Sequence, residues 1–359
     1  MENLKISDDF QTYKLGNFKL KSGGEIPDAF IAYKTLGDPS LPAIIYPTWY
    51  SGLISENLWL TGKDKTLNPE KYYIIIPALF GNSQSSSPSN TPNLRPFPEV
   101  LFYDNVKAQY ELITKHLGVK HARAVLGWSM GAGQTYQWLT QYPDFMDIGV
   151  PFCGSAKTSP HNQVFLEGVK SALYAALGTS SAGVSKPDLF TAEGKKVSFT
   201  SDTKTVGLKA LGRVYAGWGF SQAFYREKLY ETFPTLGFKN LDDFLVNFWE
   251  AWALSKDPEG MLVMAHTWQA ADCSQQEPYN GDFKKAMEGI KAKTLVLPAK
   301  TDLYFPPEDS EIEVESMKPG VGTLKVFPSI WGHWAGGPGQ STEDVKWLDE
   351  RLEEFFADN

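Results

Sequence analysis

Cysteine is scarce, with Cys153 and Cys273 the two thiols in 359 residues. Two cysteines exclude a disulfide framework, and these lack metal-ligand spacing. No apolar run approaches the length that spans a bilayer. The segment Met1-Glu2-Asn3-Leu4-Lys5-Ile6-Ser7-Asp8-Asp9 lacks the charged-then-apolar order of a secretory signal. A reduced, cytoplasmic setting is therefore the expectation. Positive charge is also short: 34 Lys and Arg face 42 Asp and Glu, for a net charge of −8. This argues against a nucleic-acid groove or a polybasic membrane surface. What remains is a small-molecule substrate as partner, with no cofactor or metal implied.

What the chain does have is glycine in one telling place and many aromatic rings. Residues 127–131 read Gly-Trp-Ser-Met-Gly, a G-x-S-x-G nucleophile elbow. The apolar run Ala122-Arg123-Ala124-Val125-Leu126 precedes it as a buried strand. Gly131 to Leu139 follows as a helix that ends near Pro143. Strand, tight turn and helix are the context the motif needs, because the strained turn lifts the Ser129 hydroxyl above the sheet. Small residues at 127, 131 and 133 let the helix start close against the strand.

Around the elbow the chain alternates. Phe18–Gly24 and Ala29–Thr35 read as an antiparallel hairpin. Ala43–Tyr46 and Tyr73–Ile76 are short β-branched runs that end at prolines, as buried parallel strands do. Asp104 is a candidate cap for a helix carrying Val106, Tyr110, Ile113 and Leu117. Further strands are expected at Ile148–Cys153, Thr294–Pro298 and Thr323–Phe327, before a closing helix with Val345, Leu348, Leu352 and Phe355. The pattern means a mostly parallel central sheet with helices on both faces. Residues 159–288 break the alternation and read as a helical cap inserted into a core of 1–158 and 289–359. That insertion contains the flexible-looking Gly178–Gly183 segment. The run Ser83-Gln84-Ser85-Ser86-Ser87-Pro88 is expected to be a surface loop.

A serine hydroxyl hardly ionises at neutral pH, so it needs a base and a group that orients the base. With this elbow the chain order is serine, acid, histidine. His116 and His121 precede the serine, and His161 and His266 fall in the expected cap. His333 follows the last core strand in a Gly-rich loop and is the candidate base. Asp302, just after the preceding strand, is the candidate acid, ahead of Asp309 and Glu308 at the start of a helix. The oxyanion of an acyl-transfer intermediate needs two backbone N–H donors. Met130 supplies one, and Trp49, with Thr48 as the adjacent alternative, supplies the other.

The elbow helix Gly127–Gln134 with Tyr142-Pro143-Asp144 resembles that of the homoserine O-acetyltransferases and their esterase-like relatives in the α/β-hydrolase superfamily. So do Ala32–Gly37, Asp302–Pro307 and Gly332-His333. The resemblance runs from about Phe18 to the C-terminus. It implies an α/β-hydrolase fold, a Ser129–His333–Asp302 triad, a ping-pong acyl-enzyme and a cap that could form a homodimer. Three departures argue against homoserine as acceptor. Pro47–Gly52 replaces a His-Ala-Leu-Thr-Gly loop, Gly217–Ser221 replaces a Thr-Tyr segment, and Trp334 stands where the family commonly has Asp. A zwitterion needs a charged clamp that these residues do not offer.

The leading expectation is a hydrolase of a small apolar or aromatic ester that works through acyl-Ser129. Thr48, Tyr50, Trp218, Phe220, Trp268 and Trp334 are its expected substrate contacts. An O-acyltransferase taking an acyl-CoA donor and an alcohol acceptor uses the same acyl-enzyme. A non-catalytic binding protein on a hydrolase scaffold is the third reading.

Overall fold

A computed structural model describes residues 9–178, 198–233 and 237–359. Residues 1–8 and most of the expected flexible segment, 179–183, lie outside the described residues. The strands are β1 (Gln11–Lys19), β2 (Glu25–Leu36), β3 (Ala43–Ile45), β4 (Tyr73–Pro77), β5 (Ala122–Trp128), β6 (Met146–Phe152), β7 (Lys293–Val296) and β8 (Gly322–Leu324). They form one sheet in the order β1-β2-β4-β3-β5-β6-β7-β8. The β1–β2 and β2–β4 pairs are antiparallel; every other pair is parallel.

Side chains alternate across this sheet as the two-residue period requires. Ile44, Ile74, Ala124 and Leu126 enter one buried cluster. Ile45, Ile75 and Val125 enter the other, on the opposite face. The second face is covered by α1 (Phe102–Glu111) and α2 (Met130–Gln141), through residues such as Val106, Tyr136 and Trp138.

A run of helices then follows: α3 (Pro160–Ala176), α4 (Ser201–Gly219), α5 (Gln222–Arg226), α6 (Leu241–Phe244), α7 (Ala251–Leu254) and α8 (Pro258–Gln269). Between α6 and α7 the backbone continues as a π-helix over Leu245–Glu250. Their aromatic residues belong to the first cluster, together with α11 (Thr342–Asp358). Preceding α11 are α9 (Phe283–Gly289) and α10 (Pro307–Glu315). Ala286 and Met287 of α9 enter the second cluster, beside Trp138 and Leu139.

Two local expectations are corrected. Asp104 does not precede its helix but sits third in α1, where its carboxylate accepts the Leu101 N–H at 2.9 Å and the Lys21 N–H at 2.8 Å. An acid in the first turn satisfies an otherwise orphan donor just as a capping residue would. The serine run is not a surface loop, because Gln84, Ser85, Ser86 and Ser87 are buried. Ser85 Oγ donates to the Ala78 carbonyl (2.8 Å) and accepts the Ala32 N–H (2.9 Å). Ser86 Oγ accepts the Phe30 N–H at 2.9 Å. These hydroxyls satisfy the free edge of β2 where β4 has ended, so a polar run can be buried at little cost.

Candidate active site

Ser129 stands between β5 and α2 with φ 58° and ψ −122°, in a region that a residue bearing a side chain rarely occupies. Close packing holds the strain. A Cβ added at Gly127 would lie 2.4 Å from the Gly131 backbone, and one at Gly133 2.4 Å from the Phe102 ring. The glycines therefore let helix, strand and α1 meet where any larger residue would push them apart.

The structure brings Ser129, Asp302 and His333 together although 204 positions separate the first from the last. His333 Nε2 is 2.9 Å from Ser129 Oγ, and its Nδ1 is 2.7 Å from Asp302 Oδ2. Asp302 lies in the loop after β7, and its other oxygen accepts the N–H groups of Tyr304 (2.8 Å) and Phe305 (3.2 Å). Both side chains of this pair are almost wholly buried. The imidazole has little freedom to turn: Trp128 stacks on it at 4.8 Å, and Tyr304 meets it edge-on at 4.6 Å. Trp128 Nε1 also donates to the His333 carbonyl at 3.1 Å. Gly332 takes φ +66°, and a Cβ there would fall 2.6 Å from the Ser221 nitrogen, so on both counts His333 is delivered through a turn that glycine suits.

The other histidines are engaged elsewhere. His116 Nε2 meets Tyr33 Oη at 2.9 Å, His121 meets Asp147 at 2.8 Å, and His266 meets Glu99 at 2.9 Å. His161 packs on Trp218. Asp309, the alternative acid, hydrogen-bonds Ser159, and burial raises its carboxyl above the ordinary range.

A cavity of about 250 Å³ opens over Ser129 and His333. Its walls are Trp49, Tyr50, Trp128, Tyr215, Phe248, Trp252 and Trp334, with Ser51, Glu56, Asn247 and Gln340 among its polar lining. Of the expected substrate contacts, Tyr50 and Trp334 reach this cavity. Thr48, Trp218, Phe220 and Trp268 do not. Thr48 is fully buried and committed: its N–H donates to Pro77 and its hydroxyl accepts the Leu79 N–H. Its N–H is therefore no oxyanion donor. Phe220 stacks on Phe224 at 4.0 Å inside the aromatic cluster, and Trp268 stacks on Phe305 at 5.5 Å. Each satisfies the drive to bury a large ring by packing, away from the cavity. Among the described residues, the N–H groups of Trp49 and Met130 donate to no protein acceptor.

Tyr215, Asn247 and Phe248 line the cavity although the sequence does not single them out. For Asn247 and Phe248 the signal is faint: a π-turn changes which side chains share a face, and helical spacing in the sequence gives no warning of it. Among the described residues, no group of three or more His, Cys, Asp or Glu could hold a metal ion, and no helix is long and apolar enough to cross a membrane.

A mostly parallel sheet with a strained serine between strand and helix, followed in chain order by acid and histidine, defines an α/β-hydrolase. No family model matches the chain. It is 32% identical to a probable esterase of Corynebacterium glutamicum, over 98% of this chain and 97% of the relative. It is also 32% identical to the ethyl acetate hydrolase of Pseudomonas veronii, over 97% and 95%. Among solved structures, an acetylester hydrolase from Corynebacterium glutamicum superposes with a TM-score of 0.86 at 32% identity, covering 97% of this chain and 96% of that one. A homoserine O-acetyltransferase of Methanosalsum zhilinae is 27% identical over 88% of this chain and 67% of the relative. The chain belongs to this α/β-hydrolase family of esterases and their acyltransferase relatives, as the elbow and the acid and base segments suggested. It is an α/β-hydrolase enzyme of acyl-group chemistry, ester hydrolysis or acyl transfer.

Proposed function

We propose that the protein hydrolyses small carboxylic esters of acetyl type through an acyl-Ser129 intermediate. The observation that carries this reading is the hydrogen-bonded line from Asp302 through His333 to Ser129, with spacings of 2.7 and 2.9 Å, at the floor of a small apolar cavity. Ser129 Oγ attacks the ester carbonyl while His333 Nε2 takes its proton. Asp302 keeps Nδ1 protonated and stabilises the imidazolium without taking the proton itself. The oxyanion that forms is met by the N–H groups of Met130 and Trp49. His333 then gives its proton to the departing alcohol. Water, deprotonated by the same nitrogen, adds to the acyl carbon. The bond from that carbon to Ser129 Oγ then breaks, Oγ takes the proton back from Nε2, and the carboxylic acid is released.

The cavity supports a small substrate. Its volume of about 250 Å³ falls below the roughly 300–1,000 Å³ of sites for drug-sized ligands. Its lining also bears on the acceptor. Among the described residues, neither Lys nor Arg lines it. An amino-acid carboxylate, or the phosphates of an acyl-CoA, would find no cation there, whereas water or a neutral alcohol needs none. This favours hydrolysis over transfer to homoserine.

The test is a chromogenic acetyl ester and acetyl-CoA offered separately to the pure protein, with and without added alcohols. Ester cleavage that needs no alcohol, and that falls by about 10³-fold or more in Ser129→Ala, is the expected result. Thiol release from acetyl-CoA only when an alcohol is added would overturn it in favour of the transferase.

A further inference from the structure

The loop from Tyr46 to Gly52 supplies Trp49, and its carbonyls are held to an unusual degree by side chains. Asn57 Nδ2 donates to the carbonyls of Tyr46 (2.9 Å) and Pro47 (3.2 Å). Gln134 Nε2 donates to that of Thr48 at 2.9 Å. Lys256 Nζ donates to that of Ser51 at 3.1 Å, and Asn82 Nδ2 to that of Gly52 at 3.0 Å. The bond at Thr48 matters most. The Thr48 carbonyl and the Trp49 N–H belong to one peptide group, which is trans. In a planar trans peptide the two point in opposite directions. An oxygen held by the Gln134 amide therefore turns the Trp49 N–H away from that amide, and among the described residues it has no protein acceptor.

The other half of the oxyanion site is set in the same manner. The Ser129 carbonyl accepts the N–H groups of Ala132 (2.8 Å) and Gly133 (3.2 Å), which fixes the Met130 N–H of that same peptide. Gln134 touches this half as well, donating to the Met130 carbonyl at 3.1 Å.

The orientation of the Gln134 amide is itself determined. Its Oε1 accepts from Gln109 Nε2 at 2.6 Å, and Gln109 Oε1 accepts from Trp138 Nε1 at 2.8 Å. An indole N–H can only donate. Gln109 must therefore present its oxygen to Trp138 and its NH₂ to Gln134, and Gln134 must present its NH₂ to Thr48. Gln109, Gln134 and Trp138 are all fully buried, so water does not compete for these bonds.

We propose that Gln134, oriented by Trp138 through Gln109, is a positioning residue that aims the Trp49 N–H at the oxyanion. This inference rests on the reading of Ser129 as the nucleophile. It also assigns Lys256 a lesser share of the same role, holding the far end of the loop from the segment between α7 and α8.

Gln134→Met keeps side-chain length and removes the donor. With an acetyl ester, its kcat is expected to fall about 10- to 100-fold, below the roughly 10²–10³ of an oxyanion donor lost outright. KM should stay within about 2-fold, and affinity for a trifluoromethyl ketone, which forms an oxyanion on the serine, should fall in parallel with kcat/KM. Lys256→Met, nearer the surface, should lose about 3- to 10-fold in kcat, with Lys256→Arg restoring it. A folded Gln134→Met with kcat and ketone affinity both within about 2-fold of the parent overturns the proposal. If Gln134→Met does not fold, Lys256→Met and Gln109→Met decide on the same two readouts: a joint fall in kcat and ketone affinity supports the proposal, and unchanged values overturn it. Hydrolysis that survives Ser129→Ala would instead refute the nucleophile reading.

Discussion

Two kinds of buried material meet at the active site, and they are held differently. On one side stand the aromatic rings of the helices from α4 to α7, where Phe220 has Phe224, Phe233, Phe244 and Trp249 for neighbours within 6.0 Å. On the other side lies a polar lattice of Gln109, Gln134, Asn57, Asn82 and Ser85, joined bond by bond to backbone or, for Gln109, to the Gln134 amide. Apolar burial is non-directional, so this ring cluster stabilises the region without aiming a backbone group. Trp128 and Tyr304 do, however, hold the His333 ring by stacked and edge-on contact. A buried amide must find its partners in definite directions or cost free energy, and so it does choose. The two N–H groups proposed to meet the oxyanion, those of Trp49 and Met130, sit on the polar side. The walls that need only shape are drawn from the aromatic side.

This contrast can be broken first within a single helical segment. Trp249 is fully buried, whereas Trp252, three residues on, lines the cavity. Trp249→Ala is expected to lose about 3–5 kcal/mol of unfolding free energy in urea melts, the ordinary cost of deleting a buried large ring. Trp252→Ala, at a ring only partly buried, should cost clearly less in the melt and raise KM for an acetyl ester about 5-fold, the factor that roughly 1 kcal/mol of lost apolar contact gives. Equal stability losses in the two variants would erase the distinction between packing ring and wall.

A pH-dependent effect sharpens the polar side. Glu313 on α10 takes a 2.6 Å hydrogen bond from the Ala156 N–H and lies 2.6 Å from Tyr136 Oη. Burial pushes its carboxyl up to about 8 from an ordinary 4.5, against the pull of those hydrogen bonds. Between those two values the native protein keeps a proton that the unfolded chain has released, so this group's contribution to stability is lost as pH rises through that window. A neutral amide in its place has no such proton to lose, so Glu313→Gln should gain on the parent in urea midpoint between about pH 5 and about pH 9. A difference that stays constant across that range would show that the carboxyl is ionised throughout.

Much of this arrangement is legible without coordinates. The hairpin, the β-branched strands and the strand–turn–helix around Ser129 declare themselves because their signals are local: alternation, glycine at a tight turn, proline at strand ends. Asp302 and His333 are reachable because each follows a core strand in the order the elbow requires. The serine run at 83–87 misleads for the opposite reason. Its polarity suits a surface, and only the presence of β2, some fifty residues earlier in the chain (Ser85 to Ala32, 53 positions), turns those hydroxyls into partners for buried backbone. Trp218, Phe220 and Trp268 mislead in the reverse sense. An aromatic residue carries no mark of whether it will face a ligand or another ring.

By itself, then, the chain dictated a strained serine and the succession of strands that carries acid and base to the same end of the sheet. Short-range stereochemistry and connectivity are written residue by residue. The folded molecule alone decided which rings wall the cavity and which amides aim the Trp49 N–H. Those choices depend on contacts such as Gln134 with Thr48, 86 positions apart. Burial and hydrogen-bond direction exist only once such distant segments have met.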